Sequence, residues 1–344
     1  MPVSKTLPNE PIPETVRDRE PEPPPPKSRR SWLWILIACV LAAIAVAGGA
    51  LYFGVWRYQA TARRHVPAGS NIMIRADANE ILLFGPVRTH LWPLALTRSG
   101  DEKNARIDAI RQKTGVSIPL DLREVIVASL DASSWVVLIG GNIEPGRFVA
   151  GLAEVLTEEG LTGWTLDGDI LTHELGWTIA QADDGTIILG TNRDVTMAAL
   201  PASEDAATAA LSEPAALTFS ITRTAYAGAL GTLPLTLPGL DTLDKVAGLS
   251  GSLELTAEPT LRVVVEPDRV DAATLASELS GLQRQLKLAT LVISHDLFGA
   301  KHAIAGASVK AEGNAVTIVA PWSYAALDRA TKQLADAIAS GRMP

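Results

Sequence analysis

The chain has 344 residues, of which 47% are hydrophobic and 20% charged, and its formal net charge is −8. An acidic surface repels phosphate backbones, so this balance argues against nucleic-acid binding, which normally starts from a basic patch. Cys39 is the only cysteine, so the chain can form no internal disulfide.

Residues 1–30 are rich in proline, glutamate, lysine and arginine and contain almost no side chains that could form a core. Such a composition predicts a disordered tail with local polyproline II structure. We expect this tail to lie in the cytoplasm, because of the segment that follows it.

Residues 31–56 form a run without a charged side chain, long enough as a helix to span a bilayer core. Aromatic side chains that favour the lipid–water boundary flank the run: Trp32, Trp34, Tyr52, Trp56 and Tyr58. The run therefore predicts a single-pass transmembrane helix with the lipid bilayer as its partner. Small residues spaced four apart within it permit a homodimer.

The basic residues that precede this run favour a cytoplasmic N-terminus, by the positive-inside rule. The sequence therefore predicts a bacterial inner-membrane protein whose C-terminal part is periplasmic or otherwise extracytoplasmic. Two processing alternatives stay open: a cleaved signal peptide, and a twin-arginine export signal at Arg29-Arg30.

The remainder of the chain shows one pattern twice. Alternating apolar residues predict strands over 71–76 and 216–222. A helical or irregular stretch follows each strand, and then a predicted hairpin, over 125–141 in the first copy and 250–267 in the second. This recurrence indicates an internal repeat.

Each copy continues with a helix, for which Asp271 is the predicted N-cap in the second copy. A second hairpin then follows, over 177–190 and 307–320, and a helix closes each copy. Ser323 is the predicted cap of the closing helix in the second copy.

The predicted fold class is therefore α+β, with two tandem repeats of helices packed on mixed or mostly antiparallel sheets, preceded by the transmembrane helix. The predicted boundaries are a juxtamembrane linker over 57–65, repeat 1 over 66–200, a linker over 201–212 and repeat 2 over 213–342.

Candidate chemistry is sparse. His295, Asp296 and His302 could converge as an acid–base or metal-binding group, and they form the set to test. The two histidines are seven residues apart, which is not the spacing of a helical metal-binding pair, and no third ligand is evident. The sequence therefore predicts no metal, no cofactor and no assigned catalytic residue.

Tryptophans are the other candidates for a binding surface. Trp135 and Trp177 interrupt apolar strand patterns, which favours core positions. Trp164 and Trp322 adjoin a turn or a helix start, so they are the candidate surface aromatics.

The basic-flanked apolar segment, the HVPAGSNIMIRAD sequence at the first strand and the twofold unit resemble uncharacterised single-pass envelope proteins of Gram-negative bacteria. The resemblance implies a duplicated extracytoplasmic domain but no site residue. We expect a non-enzymatic protein that binds another protein or an envelope component. The alternatives are an envelope hydrolase and a carrier of an apolar ligand.

Overall fold

The computed structural model describes residues 60–97, 101–117, 121–203, 209, 211–232, 240–292 and 299–340. We refer to residues 60–203 as the first half and to residues 211–340 as the second half.

Twelve strands form one sheet. In chain order they are β1 (Ile72–Asp77), β2 (Leu122–Ser129), β3 (Trp135–Gly141), β4 (Trp164–Asp167), β5 (Ile170–His173), β6 (Thr178–Gln181), β7 (Ile187–Gly190), β8 (Leu217–Thr222), β9 (Val246–Glu254), β10 (Thr260–Pro267), β11 (Ser308–Glu312) and β12 (Ala315–Pro321). Their order across the sheet is β11-β12-β10-β9-β8-β1-β2-β3-β7-β6-β5-β4. Each neighbouring pair is antiparallel.

Helices connect these strands. A 3-10 helix (Ala62–His65) precedes β1, and the α-helices are α1 (Ala78–Leu83), α2 (Gly85–His90), α3 (Trp92–Thr97), α4 (Asp101–Thr114), α5 (Phe148–Glu158), α6 (Arg193–Ala199), α7 (Arg223–Thr232), α8 (Leu240–Leu243), α9 (Ala272–Val292), α10 (Ala300–Gly306) and α11 (Tyr324–Ser340). An α+β fold with a large antiparallel sheet is therefore confirmed.

The two halves meet at the centre of the sheet, where β1 pairs with β8 and Ile74 lies opposite Phe219. Moving outward from this pair, β1 is followed by β2, β3, β7 and β6, whereas β8 is followed by β9, β10, β12 and β11. All the strands of both halves thus share one sheet. The β4–β5 hairpin extends the sheet at the first-half edge.

Local sequence signals account for the starts of several helices. The Asp271 carboxylate accepts the Thr274 backbone N–H at 2.8 Å, and the Ser323 hydroxyl accepts the Ala326 N–H at 3.2 Å. Both predicted caps are confirmed. A third cap is Asn192, whose side chain accepts the Val195 N–H at the start of α6.

Apolar side chains cover both faces of the sheet. Because successive strand residues point to opposite faces, Leu138 and Ile139 of β3 contribute to different clusters. The first cluster packs against the 3-10 helix and α6, and the second packs against α5. In the second half, Leu275 and Leu279 of α9 pack against the sheet.

The structure contradicts the predicted transmembrane helix as far as it describes the chain. None of the helices within the described ranges is both long and apolar enough to cross a membrane. The longest, α9, carries Glu278, Arg284 and Lys287 and is apolar along one side. The transmembrane and inner-membrane predictions are therefore wrong for this part of the chain. Residues 31–56 lie outside the described residues, together with Trp32, Trp34, Tyr52, Trp56 and Tyr58.

A buried ion cluster lies beside the central strand pair. The Arg75 guanidinium donates to the Glu124 carboxylate at 2.8 Å and to the Asp77 carboxylate at 2.9 Å. Arg75 is only 5% exposed and Glu124 only 1%. A third donation, to the Ala215 carbonyl oxygen at 3.4 Å, links this guanidinium to the segment that enters β8.

Replacing Glu124 with glutamine should destabilise the protein strongly. The change removes the negative charge of Glu124, so the buried Arg75 guanidinium keeps only Asp77 as a charged partner. We therefore expect the free energy of unfolding to fall by about 3 kcal/mol in urea denaturation. The control is Arg193→Gln, which breaks an exposed pair with Asp167 and should change stability by less than about 1 kcal/mol. Equal effects of the two substitutions would contradict the role of the buried cluster.

His65 fastens the start of the described chain to the first half. Its Nδ1 lies 2.9 Å from the Ala199 carbonyl oxygen and its Nε2 lies 3.1 Å from the Asp184 carboxylate. Both ring nitrogens of His65 therefore lie within hydrogen-bonding distance of an oxygen atom. Burial raises the pKa of Asp184, but the hydrogen bonds from Thr186 and His65 outweigh it, and the net pKa lies below the ordinary value.

Asp184→Asn should lower the free energy of unfolding by about 1 kcal/mol at pH 7. A lowered folded-state pKa contributes stability above the unfolded-state pKa of about 4, and this contribution is lost as the pH falls through the folded-state value. The difference between wild type and variant should therefore shrink toward pH 3 in urea denaturation. Asp183→Asn, at the exposed neighbouring position, is the control. If the difference in free energy of unfolding between wild type and Asp184→Asn grew toward acid pH, the stabilising role of the Asp184 carboxylate would be refuted.

Candidate functional site

An apolar cavity of about 310 Å³ lies in the second half, between the sheet and helices α9 and α10. Its floor is formed by sheet residues Leu261, Val309, Ile318 and Ala320. Its walls are formed by Leu279, Leu282, Gln283 and Leu286 of α9, by Ala300, Ala303 and Ile304 of α10, and by Ala307 and Trp322. Among these residues, only Gln283 and Trp322 carry polar side-chain atoms.

The sequence explains why space remains here. Leu279, Leu282 and Leu286 recur at helical spacing and face the sheet along one side of α9. Opposite them, α10 contributes Ala300 and Ala303, whose methyl groups leave room that larger side chains would fill. The cavity thus lies between a leucine stripe on α9 and the side chains of Ala300, Ala303 and Ile304 on α10.

In the first half, the cavity of about 220 Å³ at the start of α5 is smaller and partly lined by the polar residues Asp169, Gln181 and Asp183. There, Phe148, Leu152 and Leu156 of α5 pack against a cluster that includes Val116 and Ile143. Larger side chains from the loops and from α5 fill the layer over the sheet. The two halves therefore differ in how the same layer is occupied.

Two polar side chains of α9 hold α10 in place. The Gln283 amide nitrogen donates to the carbonyl oxygens of Ala307 at 2.6 Å and Ile304 at 3.2 Å. The Lys287 ammonium donates to the Ala305 carbonyl oxygen at 2.9 Å. The last carbonyls of a helix lack intrahelical partners, so these bonds stabilise the C-terminal turn of α10.

Close backbone packing fixes α10 at both ends. Gly299 precedes the helix with φ of 84°, and a Cβ atom there would lie 2.7 Å from the Ala326 Cβ. At the other end, a Cβ atom on Gly306 would lie 2.6 Å from Pro321 Cγ. Glycine at these two positions allows α10 to close the cavity against the neighbouring elements.

The cavity opens beside Leu286, which lines it and is 45% exposed. Its lining can bury hydrocarbon but offers few partners for water, which needs two to four polar groups to be held in a cavity. The cavity is therefore suited to binding apolar molecules or the apolar parts of larger ones. It contains no acid–base or nucleophilic side chain among the described lining residues.

The structure describes one member of the candidate set His295, Asp296 and His302. His302 is exposed on α10, and its neighbour Ala303 is the residue that lines the cavity. His295 and Asp296 lie outside the described residues. Within the described part of the chain, no group of three or more histidine, cysteine, aspartate or glutamate side chains could hold a metal ion.

The candidate aromatics occupy different environments. Trp322 is half-buried in the cavity wall. Trp164 is also half-buried, and its ring meets that of His173 edge-on with centroids 4.8 Å apart. Trp177, expected in the core, is 46% exposed, because it follows the β5–β6 turn beside the exposed Leu175 and precedes the first residue of β6.

A second, wider groove of about 750 Å³ lies between the halves and is lined by Glu80, Leu83, Phe84, Gly85, Leu255, Thr256, Ala257 and Tyr324. The Phe84 and Tyr324 rings meet edge-on with centroids 5.4 Å apart. Burial, together with the charge of Asp77, raises the pKa of Glu80 above its ordinary value. Leu83 is 70% exposed, so this groove is an open surface feature.

Comparisons with known proteins give little guidance. No protein-family model matches the chain, and no curated protein matches its sequence. Among solved structures, the chain is similar to crystal form I of TP0453, with 10% sequence identity and a TM-score of 0.40. The match covers 83% of this chain and 99% of that one. A similarity of this degree supports no conclusion about function.

Sequence reasoning missed the cavity because α10 gives a weak signal. Its sequence, AKHAIAG, is short, and it contains three alanines and a glycine. The stripe of α9 continues from Leu275 to Leu286, which predicts an apolar neighbour along the whole helix. That continuation is the one sequence signal pointing to an element opposite the C-terminal part of α9.

Gln283→Ala should loosen α10. The substitution leaves the Ala307 and Ile304 carbonyls without this donor, so we expect a loss of about 1–2 kcal/mol. Hydrogen exchange followed by mass spectrometry should show faster exchange in α10 than in wild type. Gln285→Ala, at an exposed position of the same helix, should leave that exchange unchanged. Unaltered exchange in the Gln283 variant would rule out the fastening role.

Proposed function

We propose that the protein binds a small apolar molecule, or the apolar portion of a larger one, in the cavity between α9, α10 and the sheet. The observation that carries this proposal is the nearly uninterrupted hydrocarbon lining. The volume of about 310 Å³ falls at the lower end of the range of about 300–1,000 Å³ for ligand pockets. The proposed ligand is therefore small.

The energetics favour occupation. An empty cavity destabilises a folded protein, because the atoms around it lack packing partners. A ligand that fills it restores those contacts and removes its own apolar surface from water, at about 0.8 kcal/mol for each buried methylene. Binding of this kind also stabilises the folded chain in proportion to ligand concentration.

A carrier of an apolar ligand is one of the alternatives that the sequence leaves open. Carriage needs a lining that holds apolar groups without reacting with them. The described lining residues supply hydrocarbon, one amide that is already bonded to α10, and one indole ring. A hydrolase at this site would need an acid, a base or a nucleophile in contact with the ligand.

We also infer that the two halves arose by duplication. The order β8-β9-β10-α9-β11-β12-α11 in the second half parallels β1-β2-β3-α5-β6-β7-α6 in the first when the β4–β5 hairpin, α10 and the short helices before β2 and β9 are left aside. The mirrored strand order about the β1–β8 pair supports this inference.

Filling the cavity should abolish binding of an apolar probe. We expect wild-type protein to bind N-phenyl-1-naphthylamine, an uncharged aromatic amine, with a rise in fluorescence. Ala303→Leu places extra carbon atoms in the space, so affinity should fall by about tenfold or more, since each excluded methylene is worth about 0.8 kcal/mol.

The matched control is Ala305→Leu, the same substitution at an exposed position of α10, which should keep wild-type affinity. Circular dichroism and urea denaturation establish that both variants fold. Equal affinity of wild type and folded Ala303→Leu would overturn the proposed function, as would a wild-type protein that does not bind the probe.

A further inference from the structure

We propose that the cavity takes a single-chain amphiphile with an anionic head group, whose chain lies in the cavity and whose head lies beside Lys287. This inference rests on the proposed function and specifies the class of ligand. It follows from the distribution of charge around the cavity and from the position of its opening.

The elements that wall the cavity are locally basic in an acidic chain. The helices α9 and α10 and the strand β11, which all contribute lining residues, carry four basic residues: Arg284, Lys287, Lys301 and Lys310. The same elements carry two acidic residues, Glu278, which pairs with Lys245, and Glu312, which accepts a hydrogen bond from the Thr317 hydroxyl. These elements therefore have an excess of positive charge, whereas the whole chain has a net charge of −8. A concentration of one sign beside a low-dielectric cavity raises the local concentration of ligands of the opposite sign.

Lys287 lies beside the exposed part of the cavity wall on α9. It follows Leu286, which lines the cavity and is 45% exposed. It also lies four residues after Gln283, another lining residue, and residues with this spacing share one side of a helix. The bond from the Lys287 ammonium to the Ala305 carbonyl oxygen holds the charge at the seam between α9 and α10.

This position is suited to a head group and not to the chain. A ligand chain that fills the cavity beneath Leu286 emerges where the helix surface becomes exposed, next to the ammonium. A carboxylate there forms a charge-assisted hydrogen bond, which is stronger than a bond between neutral groups. An ammonium at the same place would be repelled by Lys287.

The test compares three ligands with the same eight-carbon chain: octanoate, octan-1-ol and octylamine. Their affinities for the full-length protein are measured at pH 8 by displacement of N-phenyl-1-naphthylamine. We expect octanoate to bind about tenfold more tightly than octan-1-ol, because a hydrogen bond to a charged group contributes that much or more. Octylamine should bind most weakly, and added salt should reduce the preference for octanoate.

Lys287→Gln should remove the preference for octanoate, so that the ratio of the octanoate affinity to the octan-1-ol affinity falls about tenfold, whatever the loss of the bond to Ala305 does to both affinities. Lys332→Gln, which removes a lysine of α11 paired with Asp336 at 2.9 Å, should retain the full preference. If Lys287→Gln weakened octanoate and octan-1-ol equally, Lys287 would act only by holding α10, and the head-group inference would fail.

The outcomes separate this inference from the proposed function. Equal binding of octanoate, octan-1-ol and octylamine would overturn the anionic preference while the cavity remained an apolar binding site. Failure of all three ligands and of the fluorescent probe to bind would overturn both. A preference for octanoate that Lys287→Gln does not change would place the head group elsewhere and refute the assignment.

Discussion

The rest of the structure depends on the antiparallel pairing of β1 with β8 and on the buried guanidinium that fastens it. Arg75 stands on β1, lies opposite Thr218 of β8, and donates to Glu124 of β2 and to the Ala215 carbonyl oxygen just before β8. A buried guanidinium must have charged and polar partners, because its desolvation is otherwise too costly. The partners of Arg75 come from both halves of the chain. The hydrogen bonds to these partners therefore favour the arrangement in which the strands of both halves form one sheet. The helices of each half then cover their own part of that sheet.

Within this common frame, the difference between the halves decides where a ligand can bind. Bulky residues such as Phe148 and Leu152 fill the layer beneath α5, whereas Ala300 and Ala303 leave a space beneath α9. The volume of the side chains, and not the order of the elements, produces this difference. Packing density in protein interiors is high, so a gap of this size is a distinct feature of the fold. The polar bonds from α9 to the end of α10 keep the gap open by fixing the opposing wall.

The chemistry of the cavity sets what it can do. Hydrocarbon walls bind apolar chains without orienting them for reaction, and specificity must then come from the opening. The basic residues Arg284 and Lys287 of α9 and Lys301 of α10 provide positive charge near this opening. An apolar interior with a charged rim is a simple way to select an amphiphile by its head group while tolerating variation in its chain.

The sequence by itself determined much of the local structure. Alternation of apolar residues located the strands over 71–76 and 216–222, and the side-chain oxygens of Asp271 and Ser323 identified helix starts. These features are local, because strand periodicity and capping depend on residues a few positions apart. The prediction of a membrane span was made from residues 31–56 alone, and the helices of the described chain do not support it.

Only the tertiary structure decided how these elements meet. Pairing of β1 with β8 joins segments that are far apart in the chain, so the single sheet has no local signature. The environment of Trp177 also depends on more than its local sequence. The strand pattern around it predicts burial, but the turn before it leaves the ring exposed. The cavity depends on the distance between α9, α10 and the sheet, which side-chain volumes and hydrogen bonds fix together. The sequence therefore determined which segments are strands and capped helices, whereas long-range packing decided that they form one sheet and that an apolar cavity lies beneath α9.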